Sequence, residues 1–270
     1  MSEEPVSAKP VMGAAANTGA VPALACRGVV KRFGALAAVD GVDLVVPKGQ
    51  TLGIGGPNGA GKTTFFDLIS GLTPVSEGQI DFMGEPIVGQ APHRLCQRGL
   101  ARTFQLNSGF DNLTVYENVL AAQAFGRRSA GGWVLTRKAD RDAARAVLAD
   151  IGLEEIAEDR VAGIPVLARK KLMVATALVN EPDILLLDEP VGGLTPPEIE
   201  EFIALMLDLK TRGMTLVFIE HVMHFLMAVA DRAVIMHQGA IIYDGAPEGL
   251  RRDRLVAEVY LGTGALEAAP

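Results

Sequence analysis

Cysteine is nearly absent from this chain: Cys26 and Cys96 are the only two in 270 residues. Two thiols cannot build a disulfide framework, and their separation does not fit a zinc site. A reducing cytosol is the expected setting. Long hydrophobic runs are also missing. The longest, such as Ile184 to Leu187, have the size of a buried strand, well short of the ~18 residues of a membrane span. Nor is there an excess of positive charge. Lys and Arg total 25 against 32 Asp and Glu, a formal charge of −7 with a pI near 5.2, which argues against a dedicated nucleic-acid binder. Residues 1–22 carry Glu3 and Glu4 and an Ala/Gly-rich stretch, without the basic and apolar regions of a secretory leader. They are expected to form a disordered extension, and 263–270 a flexible tail.

What is present suits a globular α/β protein. Hydrophobic residues make up 49% of the chain, enough for a substantial core in one domain or two. From about residue 24 to 261, short apolar strand candidates alternate with helical patterns, which predicts a largely parallel central sheet. Residues 24–48 differ: Val29–Val30 and Val42 to Val46 are β-rich runs broken by Gly28, Gly34 and Gly41, and predict an antiparallel layer at the start. Ala143, Ala144, Val147, Leu148 and Ile151 recur at helical spacing before Gly152, predicting a helix over Lys138 to Ile151. With a second helix over Thr114 to Ala124, residues 106–180 read as a helical subdomain inserted between two halves of the sheet.

Chemistry concentrates in two places. After the apolar run Leu52 to Ile54 come Gly56, Pro57, Asn58, Gly59, Ala60, Gly61, Lys62 and Thr63, the G-x-x-x-x-G-K-[ST] pattern of a P-loop. A helix from Thr64 to Ser70, closed by Gly71, would aim its positive end and the loop's N–H groups at a phosphate. Lys62 supplies a point charge for the β- and γ-phosphates, and the Thr63 hydroxyl can ligate Mg²⁺. The bland alternative is a Gly-rich turn with a surface lysine. The second place is the strand Ile184 to Leu187, which ends in Asp188 and Glu189. Carboxylates at the C-terminal end of a parallel strand face the ligand crevice. There Asp188 would hold Mg²⁺ through water, and Glu189 would polarise the attacking water.

These anchors, with Gln105 between them and His221 beyond, resemble the nucleotide-binding subunits of ABC transporters. The fold thus implied is a P-loop NTPase with a RecA-like core, an N-terminal antiparallel β layer and a helical subdomain, spanning 23–262. The resemblance implies that Phe33 stacks on adenine and that Gly56 to Thr64 cradle the phosphates of ATP. It implies that Gln105 touches Mg²⁺ and the attacking water, and that His221 contacts the γ-phosphate. By themselves Phe33 could be a core residue, and His221 a surface histidine or, with His224, half a metal site. Ala101 to Gln105, Leu113 to Val119, Gly245 to Glu248 and Val259 to Gly262 are similar to the ATP-binding subunits of high-affinity branched-chain amino acid importers.

One motif departs from the family. Its Leu-Ser-Gly-Gly-Gln-like signature grips the γ-phosphate bound to the opposite subunit, but Ile164, Pro165, Val166, Leu167 and Ala168 stand in that place. Proline offers neither hydroxyl nor N–H, and two side chains replace glycines that allow close approach. The following Arg169, Lys170 and Lys171 sit at a helix start, where the macrodipole disfavours cations. Either Arg169 or Lys170 reaches the partner's triphosphate, or these side chains meet solvent or the membrane subunit. The degenerate signature leads to the expectation of a heterodimer with a second ABC ATPase subunit whose signature is intact. The resemblance further implies integral membrane permease subunits, an extracytoplasmic solute-binding protein, no nucleic acid, and a cytoplasmic place on the inner face of the cell membrane. Two other classes compete: an ABC-type regulatory or binding module without useful turnover, and a chromosome or repair ATPase. The short stretch between Gln105 and Ile164 leaves no room for the latter's coiled coil.

Overall fold

The computed structural model describes residues 20–104, 109–126 and 137–261. The chain opens with β1 (Leu24–Phe33), β2 (Leu36–Val46), β3 (Thr51–Gly55), α1 (Lys62–Ile69), β4 (Glu77–Phe82) and β5 (Glu85–Pro86). It continues through α2 (Pro92–Arg98), β6 (Leu100–Arg102), α3 (Val115–Phe125), α4 (Lys138–Ile151) and α5 (Val166–Leu178). The last part holds β7 (Ile184–Asp188), α6 (Pro196–Thr211), β8 (Thr215–Ile219), α7 (Met223–Val229), β9 (Arg232–His237), β10 (Ala240–Gly245) and α8 (Arg254–Leu261).

Among these residues the strands form a 4-stranded sheet, β2-β1-β4-β5, and a 6-stranded sheet, β10-β9-β3-β8-β7-β6. The second is parallel except at its edge, where β10 folds back on β9. That hairpin turns on Gln238 and Gly239, with φ of 48° and 83°, the left-handed pair that matches strand twist in a two-residue loop. The antiparallel layer is wider than residues 24–48 suggested. β1 has two edges; β2 takes one, and β4, from beyond the P-loop helix, pairs with the other.

Alternation places the core on both faces of the parallel sheet. Leu185, Leu187, Leu216 and Phe218 point into one apolar cluster, filled by Leu172, Phe202 and Phe225 of α5, α6 and α7. Ile184, Leu186, Val217 and Ile219 point into the other, with Phe65, Phe66 and Ile69 of α1 and Leu24, Val42 and Ile80 of the antiparallel sheet. Burial on both faces is why these strands read as unbroken apolar runs. Phe218 is fully buried, edge-on to Phe225 with ring centroids 5.1 Å apart. Its ring tip would lie 3.0 Å from a Cβ added at Gly53, so glycine lets β3 approach that ring. Phe218→Ala is therefore expected to lower stability by about 3–5 kcal/mol in denaturant unfolding; a loss under 1 kcal/mol would mean the cluster collapses around the gap.

Helices α3, α4 and α5 lie between β6 and β7 in the chain. Thr114 caps α3 with a reciprocal bond to Glu117, and α4 ends at Gly152 with φ 74°, a left-handed stop.

Candidate nucleotide site

Strand β3 delivers Gly56 to Gly61 to the start of α1, and the first helical residue is Lys62 rather than Thr64. Two of the loop glycines have a reason other than phosphate contact. A Cβ at Gly56 would meet the Met236 carbonyl at 2.2 Å, and one at Gly61 the Ala38 carbonyl at 2.2 Å. Both also hold positive φ, 140° and 99°. The loop is thus wedged between β9 and β2. Lys62 is no surface lysine: at 8% exposure, its ammonium donates to the carbonyls of Gly56 at 2.6 Å and Pro57 at 2.8 Å. Burial pulls its pKa down, and the charges of Glu189 and Asp188 oppose that shift. Thr63 and Asn58 are exposed, and Thr64 is half-buried.

Parallel register brings the second anchor to the same edge. Asp188 lies opposite Ile219, and Ile219 opposite Ile54, so β7, β8 and β3 end level. Across these ends the Glu189 N–H donates to the Ile219 carbonyl at 3.0 Å and the Glu220 N–H to the Ile54 carbonyl at 3.1 Å. Asp188 is buried, which raises its carboxyl pKa, while Arg102 on β6 holds it down from 3.0 Å. The same guanidinium reaches Asp67 at 2.7 Å and Ser70 at 2.9 Å and lies against the rings of Phe66 and Phe104. Only Asp188 Oδ2 takes that bond. Oδ1 is buried and has no hydrogen-bond partner among the described residues. An orphaned anionic oxygen close to the charge of Lys62 suits a divalent cation, so the residues present fit Mg²⁺.

Behind Glu189 sits a residue that the sequence reading passed over. Glu220, fully buried, accepts N–H bonds from Val191 at 3.1 Å, His221 at 2.9 Å and Val222 at 3.0 Å. Burial raises its pKa against those three bonds. It therefore ties the loop after Glu189 to the turn that presents His221. The only cue in the sequence was an acid directly following the apolar strand β8. Arg102 was likewise passed over, although a cation ending a buried strand signals a buried anion.

His221 is exposed at the strand edge. His224 contacts Glu200, and no group of three or more metal-ligating side chains occurs among the described residues. Phe33 ends β1 opposite Leu36 and is 53% exposed, so it is no core residue; the Lys31 ammonium lies 4.8 Å from its ring centroid. It stands at the tip of the β1–β2 hairpin, whose Ala38 abuts Gly61. Gln105 lies outside the described residues; Phe104 before it continues from β6.

At the signature position, Pro165 is the N-cap of α5 and makes no side-chain cap bond. Val166 is 44% exposed in the first turn. Of the three following cations, Lys170 turns inward, contrary to both outward readings of it, while its two neighbours pair with exposed acids. Arg169 pairs with Asp111 at 2.8 Å, Lys171 pairs with Glu201, and Lys170 is buried with its ammonium 3.1 Å from the Glu189 carbonyl.

No described helix is long and apolar enough to cross a membrane. Residues 39–192 match the family described as ABC transporter. The chain is 36% identical over 250 residues to the high-affinity branched-chain amino acid transport ATP-binding protein BraF of Pseudomonas aeruginosa, covering 89% of this chain and 98% of that one. It is 34% identical over the same shares to the corresponding protein LivG of Escherichia coli K12. Among solved structures, the ADP conformation of MJ1267, an ATP-binding cassette of an ABC transporter, superposes with a TM-score of 0.82 at 29% identity, covering 89% of this chain and 99% of that one. With a P-loop pattern, a buried aspartate and an adjoining glutamate at one sheet edge, the chain belongs to the ABC transporter family, as one of its ATP-hydrolysing members.

Proposed function

We propose that this chain is one half of an asymmetric pair of ATP-binding subunits in an importer of branched-chain amino acids or related small polar solutes. The observation that carries the asymmetry is the contrast between the assembled phosphate edge and a signature position filled by Pro165, Val166 and Leu167. In a head-to-tail sandwich this chain's P-loop, Asp188, Glu189 and His221 face the signature of a second subunit. An intact signature there completes one site. The reciprocal site, built on Ile164 to Ala168, hydrolyses slowly or not at all, because Pro165 has no donor and Val166 occupies space a glycine leaves open.

Within the complete site, Gly56 to Thr64 hold the triphosphate, with the Lys62 ammonium beside the β- and γ-phosphates, and Phe33 stacks on adenine. Thr63, Asp188 and Gln105 would hold Mg²⁺, which would supply charge neutralisation at the phosphates. Glu189 orients and polarises the attacking water, and His221 contacts the γ-phosphate. The domain runs over 23–262, with 106–180 as the helical subdomain. A cavity of about 310 Å³ between β6 and helices α3 and α5, lined by Phe110, Ala121, Phe125, Leu172, Met173 and Ala177, supports docking of a coupling helix from a membrane permease. In this reading the chain works on the inner face of the cell membrane, with cargo chosen by the permease and an extracytoplasmic solute-binding protein, and with no part for nucleic acid.

The test is the molar mass of Glu189→Gln by light scattering, with and without Mg·ATP. The expected result is a monomer that binds ATP and pairs only when a second ATPase subunit is added. Dimerisation of this chain by itself on ATP would remove the asymmetric reading, since two altered signatures would then suffice.

A further inference from the structure

We propose that Lys170 is a positioning residue for the hydrolytic loop of its own chain, holding the Glu189 backbone from the helix that bears the altered signature. It concerns this chain's own site and stands whichever second subunit completes the sandwich.

Glu189 is a non-glycine residue at φ 47°, in the left-handed region, a strained conformation that persists only where the surroundings enforce it. Three backbone contacts define that enforcement. Its N–H is held by the Ile219 carbonyl, its carbonyl accepts the Gly192 N–H at 3.2 Å, and the same carbonyl accepts the Lys170 ammonium at 3.1 Å. Only the last comes from outside the sheet edge and its loop. Lys170 is the fifth residue of α5, at 7% exposure. Burial lowers the pKa of its ammonium, and the charges of Glu220, Glu189 and Asp188 offset this. The two cations beside it turn outward to Asp111 and Glu201, so the inward turn is particular to position 170.

The arrangement forms a chain of contacts across three segments. Lys170 on α5 grips the Glu189 carbonyl, and Glu220 grips the Val191 N–H of the same loop and the backbone of His221. A shift of α5 is thereby a shift of the carbonyl that fixes how Glu189 projects. Nucleotide contacts through the P-loop do not pass through Lys170.

The experiment compares Lys170→Met, Lys170→Gln and Lys170→Arg with wild type in the assembled transporter, reading kcat and KM for ATP together with ADP affinity. Lys170→Met is expected to lower kcat about tenfold or more while KM and ADP affinity stay within about twofold. Lys170→Arg, which keeps a cationic donor, is expected to restore most of kcat. Lys171→Ala serves as the control, removing the neighbouring surface pair without effect. If Lys170→Met does not fold, the same split is read on Lys170→Gln, a shorter neutral donor. Wild-type kcat in the folded neutral variant, a parallel loss of kcat and ADP affinity, or an arginine variant as poor as the neutral one would each overturn the proposal.

Discussion

Glu189→Gln is expected to leave ATP binding intact and to lower steady-state phosphate release by about 10²-fold or more. The side chains are nearly isosteric, and the backbone bonds that hold residue 189, from its N–H to Ile219 and to its carbonyl from Gly192 and Lys170, need no carboxylate. The loop should therefore keep its left-handed turn, and the P-loop its grip on phosphate. What disappears is the carboxylate proposed to polarise the attacking water. Phosphate release and fluorescent-nucleotide binding, measured on the same preparation, separate the two effects. Turnover within tenfold of wild type would transfer the water-orienting role elsewhere on the strand edge, with His221 the next group to test. Wild-type turnover no higher than that of the variant would instead favour a module that clamps ATP without useful hydrolysis.

Glu220→Gln should destabilise the fold by about 2–4 kcal/mol, although the residue touches no nucleotide. The carboxylate uses both oxygens: one for the Val191 N–H, the other for the N–H groups of His221 and Val222. A carboxamide has one acceptor oxygen, and its NH₂ faces an N–H donor whichever way it is turned. At least one backbone donor loses its partner beside a fully buried side chain, and Lys170 loses a compensating charge. Because those donors belong to the loop after Glu189 and to the turn bearing His221, hydrolysis should fall along with stability. Denaturant unfolding of wild type and variant provides the check. Equal midpoints would show that the carboxylate does not hold these two segments together.

Much of the site is legible in the sequence, because its chemistry is local. The P-loop depends on consecutive residues between a strand and a helix, and the apolar runs at 184–187 and 215–219 end in their polar residues within one step. Helix α4 falls at the bounds its periodicity and Gly152 predict. Helix α1 starts two residues earlier than expected, since a glycine at φ 99° can cap a helix that begins on the lysine itself. The sheet partnership of β4 was not legible, because six residues of moderate polarity carry no mark of which distant strand edge they complete.

Sequence alone determined the family, the alternation of strands and helices, and the residue types at the phosphate edge, since each follows from spacing along the backbone. Tertiary structure decided what those residues do to one another. Gly56 and Gly61 are required by carbonyls of Met236 and Ala38, far away in the chain. Asp188 is split between Arg102 and an oxygen left for a cation. Lys170, which read as a helix-start cation bound for solvent or a partner, turns inward to the Glu189 carbonyl. The direction of a long charged side chain depends on which anions and carbonyls folding brings within its reach, and that is a property of packing that no local pattern encodes.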